Sequence, residues 1–186
     1  MPVVAVVLVV VLFVVIAGVL SYNRFVEQQQ LVDNAWANVD TELRRRYDLI
    51  PNLVATVQGY AHHEESVLRA VVEARSEAVA ADGAVGDQEG PERELVGSLK
   101  SLLALQEAYP DLKADQHFLE LQKELAITED RIQAARRLFN ANVRDLNRRV
   151  ESVPSNLVAM AAHIERRSYF EVEPAIREGG PPPVHA

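Results

Sequence analysis

The chain has 186 residues, with 19 Lys and Arg against 27 Asp and Glu and a net charge near −8. That length suits one domain of ordinary size, and the acidic balance argues against nucleic acid, whose binders need a basic face, so no nucleic-acid partner is expected. Cysteine is absent, which removes disulfide scaffolds, thiol nucleophiles and Cys-ligated metal centres.

The amino end is the most biased part of the chain. Val3 to Leu20 reads VVAVVLVVVLFVVIAGVL, without a charge or a strongly polar side chain. A helix of about 20 residues crosses the ~30 Å hydrocarbon layer, and backbone groups in lipid must bond within their own helix, which overrides the low helix preference of valine. A cleaved signal peptide fits less well, because it expects a basic start, a shorter apolar core and a small-x-small cleavage site. Residues 1–22 are therefore read as an uncleaved transmembrane anchor, with residues 3–20 in the bilayer. Arg24 and then Arg44, Arg45 and Arg46 follow the anchor, so the positive-inside rule predicts an outside amino terminus and a cytoplasmic body.

The remainder carries helical spacing. Tyr22, Phe25, Val32, Trp36, Val39, Leu43 and Tyr47 form a stripe that continues the anchor. Pro51 predicts the end of this helix, since the residue before a proline is pushed out of the α region and proline suits a first turn. A second helix is expected from about Pro51 to Ala81. Asp82 to Pro91, with three glycines and a proline, is expected as a loop, followed by a third helix from about Glu92 to Ala108. The fourth runs from about Ala114 to Ser152. In it, Phe118, Leu125, Ile132, Phe139, Leu146 and Val153 recur every seven residues, the mark of a long helix with coiled-coil-like packing. Pro154 stops it, and Ser155 starts a short last helix. The fold class expected is all-α, one transmembrane helix followed by an antiparallel, up-down four-helix bundle over residues 23–165. Residues 166–186, rich in Pro and Gly towards the end, are expected as a flexible tail.

The residues offer little chemistry. Phosphate-loop, dinucleotide, nucleophile-elbow and HExxH motifs are missing, as is the Glu-x-x-His pair of helical di-iron proteins. His62-His63-Glu64-Glu65 is the densest group of metal-capable side chains, but adjacent histidines on a helix point about 100° apart. A solvated mid-helix patch is the plainer reading. No catalytic residue, metal or cofactor is assigned. Arg44, Arg45 and Arg46 are either cations at a helix end, paired with acids of a neighbouring helix, or a contact for a partner. Asn140, Asn142 and Asn147 are candidates for inward polar contacts that fix the register of the last long helix.

A set of blocks, in order, resembles the LemA family. Tyr22-Asn23 follows the anchor, then come Asn34 to Asp40 around Trp36, and Arg45-Arg46-Tyr47-Asp48-Leu49-Ile50-Pro51-Asn52-Leu53-Val54. Tyr109 to Ala114, Phe118 to Gln122, Thr128 to Ile132, Phe139-Asn140 and Pro154-Ser155-Asn156 complete the pattern, over about residues 20–172. The resemblance implies a prokaryotic, single-pass membrane protein with a helical-bundle domain in the cytoplasm. It implies no established enzymatic activity. It marks Trp36, Tyr47, Asp48, Pro51, Asn52, Asn140, Pro154 and Asn156 as structural motif residues. The expected role is a non-enzymatic interaction module linked to envelope maintenance, with membrane proteases or other envelope proteins as partners. The alternatives are a self-assembling, homo-oligomeric envelope spacer and, less favoured, a metal-dependent hydrolase built on His62, His63, Glu64 and Glu65.

Overall fold

A computed structural model describes residues 2–81 and 85–172. Helix α1 spans Pro2–Tyr60, α2 Glu65–Ala80, α3 Val85–Ala104, α4 Pro110–Ala114, α5 Gln116–Glu151 and α6 Ser155–Ala161, with a 3-10 turn at Leu105–Glu107. No strand occurs among the described residues. The all-α expectation holds, and the apolar amino-terminal run and the first amphipathic stripe are one continuous helix of 59 residues. Every residue from Val3 to Ala17 is exposed, while Phe25, Val32, Ala35, Val39, Leu43, Ile50, Leu53 and Val57 of the same helix are buried. The apolar stretch is long and apolar enough to cross a membrane.

The helix does not end at Pro51. A proline inside a helix leaves the carbonyl four residues back without its N–H donor. Here that carbonyl belongs to Tyr47, and Arg75 Nε on α2 donates to it at 2.7 Å. The tertiary bond stands in for the missing backbone bond, so the helix runs on for nine residues. The interhelical corner is displaced to Ala61–Glu64, and α2 starts at Glu65 rather than Pro51. The exchange is measurable as a coupling. Arg75→Leu should cost about 1–3 kcal/mol by leaving a carbonyl unbonded, and distinctly less in a Pro51→Ala background, where the alanine supplies the backbone N–H that proline lacks. Urea unfolding of the two single variants and the double variant reads this cycle; equal costs in both backgrounds would rule the exchange out.

The second departure lies at the expected glycine-rich loop. Asp82, Gly83 and Ala84 fall outside the described residues, but residues 85–91 are already helical and belong to α3. Intrinsic preference loses to tertiary contact: Val85 packs on the core, and Gln88 and Glu92 are buried. Pro91 is tolerated because the carbonyl it deprives belongs to Asp87, an exposed residue that water can serve. The helix ends four residues before the expected Ala108, tightening into the 3-10 turn.

Helices α1 and α5 are the main packed pair, and α2 packs on α1 and on α3. Contacts fix the direction of the α1–α5 pair. Arg149 lies over the Phe25 ring, Asn142 donates to the Leu31 carbonyl, Arg46 meets Glu129, and Tyr60 donates to Asp115. One number rises as the other falls, residue for residue, so the two helices are antiparallel over ~50 Å. Phe118, Leu125, Ile132, Phe139 and Leu146 of the seven-residue column are buried. Val153, the column's last member, is 79% exposed because α5 has ended at Glu151. Thr128, which interrupts the apolar pattern, is buried with its hydroxyl bonded back to the Glu124 carbonyl. At the far end from the apolar run, Asp115 caps α5 by accepting from Phe118 N at 2.7 Å and from Tyr60 OH at 2.9 Å. The bond from the Phe118 amide, followed by that from Tyr60, holds its carboxyl below the usual range.

Residues 166–172 are not a free tail. Phe170 and Val172 are 1% and 7% exposed and belong to the core, while Tyr169 before them and Glu171 between them are exposed. That alternation is the period of an extended chain with one face buried. Residues 173–186, the rest of the expected tail, lie outside the described residues.

Candidate functional site

Arg46 is the most deeply buried cation of the described chain, at 1% exposure. It sits on α1 between Leu43 and Ile50, in the apolar stripe itself. Its Nη1 donates to Glu129 of α5 at 2.9 Å, and its Nη2 donates to Glu92 of α3. Both carboxylates are buried, at 1% and 0%. Tyr47 OH donates to the second oxygen of Glu92. Burial pushes the Tyr47 phenol up, against a smaller opposing pull from the Arg46 guanidinium. One cation thus ties three helices together from inside. The cavity beside this cluster measures about 10 Å³, about the room one water needs, so the two carboxylates face no substrate-sized space.

The extended stretch closes over that cluster. Asn140 holds both backbone groups of Phe170: its Nδ2 donates to the carbonyl at 3.0 Å, and its Oδ1 accepts from the amide at 2.9 Å. Asn147 does the same for Arg167, at 2.9 Å in each direction. Arg136 Nη1 donates to the Val172 carbonyl. The spacing is a register match. Seven residues of helix rise ~10.5 Å, and three residues of extended chain cover ~10 Å. Asn140 and Asn147 therefore fall opposite Phe170 and Arg167, with the strap antiparallel to α5. Phe170 enters an aromatic slot, its ring 5.2 Å from Trp36, and Trp36 lies 5.2 Å from Phe139. Glu89 of α3 accepts from the Glu171 amide at 2.7 Å. Phe170 and Val172 also wall the small cavity beside Arg46, so the strap is the lid of the ion cluster.

The other candidates are placed separately. Arg44 and Arg45 are exposed and pair along their own helix, Arg44 with Asp40 at 2.9 Å and Arg45 with Glu42 at 3.9 Å. The structure therefore splits the three arginines, and Arg46 is withdrawn from any surface contact. Asp48, Pro51 and Asn52 form an exposed face of α1. Pro154, joined to Val153 by a cis bond, lies between α5 and α6, and the half-buried Asn156 is in the first turn of α6. Asn142 reaches Leu31 rather than the strap. His62 and His63 are exposed at the α1–α2 corner, not mid-helix, with ring centroids 4.0 Å apart. Among the described residues, no group of three or more His, Asp or Glu is placed to hold a metal ion. Glu64 of that quartet accepts from Tyr109 OH instead.

Sequence reasoning missed Glu92, Glu129, Arg75 and Phe170. The first two carried a signal: Glu129 lies four residues after Leu125 and three before Ile132, and Glu92 lies three before Leu95. Both positions are on the apolar faces of their helices, where a charge requires a partner.

Comparison with known proteins gives a consistent set of relatives. The chain is 26% identical to the magnetosome protein MamQ of Magnetospirillum gryphiswaldense over 181 residues, covering 84% of this chain and 66% of that one. It is 28% identical to magnetosome protein MamQ 2 of Paramagnetospirillum magneticum over the same span. It is 25% identical to Protein LemA of Metamycoplasma hominis, covering 80% of this chain and 68% of the relative. The chain thus spans about two thirds of the length of the curated relatives it matches. Residues 35–184 match the LemA family, a stretch that contains the ion cluster, the aromatic slot and both strap-holding asparagines, and the chain belongs to that family.

Proposed function

We propose that the chain is a membrane-anchored, non-enzymatic interaction module, with residues 1–22 as a single-pass anchor and the domain from residue 23 presented on the cytoplasmic side. The observation that carries this reading is the continuity of α1. The same helix holds an exposed apolar run and then the buried stripe of the domain, so the domain stands on its anchor without a hinge loop. The order of contacts, α1 against α2 and α5 and α2 against α3, supports an up-down four-helix arrangement of the domain. The partner is a membrane-protease or other envelope protein, met through an exposed face that includes Arg44 and Arg45. No nucleic-acid role is proposed.

The spacer alternative is weakened by burial. The seven-residue column of α5 is used within the chain against α1, so it is not available for pairing between copies. Cross-linking in intact cells, followed by recovery from solubilised membrane and mass spectrometry, tests the adaptor reading. A membrane or envelope protein should be recovered repeatedly, be lost when residues 1–20 are removed, and be reduced by Arg44→Glu with Arg45→Glu. Recovery of the chain alone counts against it. In the same cells Ala104→Cys, exposed on α3, should resist a membrane-impermeant thiol reagent; ready labelling would reverse the proposed topology.

A further inference from the structure

Helix α6 is short, and its outer face is apolar. Leu157 is 63% exposed and Met160 72%, with Val153 in the preceding turn at 79%, while Ala159 on the opposite side is packed in the core. Helices α6 and α1 touch. Between them lies an open groove of about 1230 Å³, walled on the α1 side from Phe13 to Gln28 and on the other from Asp145 to Val158. The groove therefore runs beside the last turns of the apolar run and across the point where Ser21, Asn23 and Arg24 begin the polar part of α1. Charge follows the same geometry. Residues 20–28 and 144–169 together hold six arginines and four carboxylates, in a chain of net charge −8. Arg24, Arg148 and Arg149 line the groove itself. Arg148 is 70% exposed even while paired with Asp145.

From this we infer that the Val153–Met160 segment is a second membrane contact: α6 lies in the bilayer interface, its Leu157 and Met160 face immersed beside the anchor, with Arg24 and Arg148 meeting anionic lipid headgroups. Two observations select lipid as the occupant. The apolar face is continuous in space with the apolar run of α1, and its polar border carries the local excess of arginine. The run from Val3 to Leu20 spans ~27 Å, so its carboxyl end reaches the interface, where an apolar helix face inserts by about 5–10 Å. Arginines at that level are attracted by anionic headgroups. The inference rests on the anchor reading above, and deepens it: α1 fixes the chain in the membrane, and α6 fixes the tilt of the domain against its surface.

The absence of native cysteine allows single cysteines, Val10→Cys, Leu157→Cys, Met160→Cys and Ala104→Cys, to carry a fluorescent label. None of these side chains is in the core. The full chain is reconstituted in phosphatidylcholine vesicles containing phosphatidylglycerol and a lipid with a nitroxide quencher, on a shallow acyl carbon to read positions 157, 160 and 104 and near the acyl terminus to read position 10, which lies at mid-bilayer depth. Labels at 157 and 160 should be quenched about threefold or more beyond the label at 104, which lies at the far end of the domain, as expected for interfacial insertion. Arg24→Glu with Arg148→Glu should reduce quenching at 157 and 160 and leave position 10 unchanged. Quenching at 10 with water-like behaviour at 157 and 160 overturns the α6 contact while the anchor stands. Absence of quenching at 10 overturns both. Cross-linking between copies through 157 without quenching assigns the face to a second copy and also overturns the lipid contact.

Discussion

Replacing Arg46 by Leu is expected to cost about 3–5 kcal/mol, the usual penalty for removing one partner of a buried ion cluster. The size follows from what is left behind. Glu92 and Glu129 are at 0% and 1% exposure, and their shared cation is the Arg46 guanidinium. Without it, Glu92 and Glu129 lose the cation they share, in a surround that includes Leu43, Ile132 and Phe170, with Gln133 and Arg136 also beside the ~10 Å³ cavity. The same principle predicts an asymmetry. A variant that removes the whole network, Arg46→Met with Tyr47→Phe, Glu92→Leu and Glu129→Leu, should fall far less, to within about 1 kcal/mol of the parent, because no charge is stranded. Urea unfolding followed by far-ultraviolet circular dichroism compares the two. A cost below about 1 kcal/mol for Arg46→Leu alone would show that the cluster is not closed to water in solution.

That cluster marks how far the sequence could be read. Helical periodicity located the long helices and most of the buried positions, because apolar stripes at three-to-four spacing are a local signal. Arg46 was visible as one of three consecutive arginines, and helical geometry alone separates it from its neighbours: it lies three residues after Leu43 and four before Ile50, whereas Arg44 and Arg45 turn outward. What no local signal provides is the partner. Glu92 lies 46 residues away and Glu129 83 away, beyond a segment whose glycines and proline argue for a loop. The same limit explains Pro51. Its local meaning is a helix end, and only the guanidinium of Arg75, 28 residues from the carbonyl it bonds, reverses that meaning. The extended strap was the least legible element, since a short run with two inward residues has too little periodicity to stand out beside polar neighbours. Asn147 and Asn140 did hint at inward polar contacts, but their ligands are backbone groups, which carry no sequence signature.

Detaching the strap should be the second large effect, and it tests whether register or mere apolar contact holds residues 167–172. Phe170→Ala removes a ring that is 1% exposed, a change that costs about 3–5 kcal/mol in a closed site. Asn140→Ala with Asn147→Ala removes four hydrogen bonds to the Arg167 and Phe170 backbones, at about 0.5–1.5 kcal/mol each when the freed groups can reach water. Trp36 is the one tryptophan of the chain and touches Phe170 directly, so its emission should move to the red in both variants. Helicity should change little, because the strap is not helical. The register claim makes a sharper demand. One glycine inserted between Ser168 and Tyr169 keeps every side chain of the strap but adds ~3.3 Å to a span that must match seven residues of α5. It also turns one of the two inward faces outward. The insertion should therefore reproduce the loss of both asparagines, with faster amide exchange at Arg167 and Phe170 and new protease cuts between residues 163 and 172. Protection equal to the parent would mean that the strap is held by Phe170 in its slot alone, and that the paired asparagines only accommodate it. In the predicted case the lid over Arg46 is opened as well, and the cost of Arg46→Leu should fall in the inserted chain because water then reaches Glu92 and Glu129.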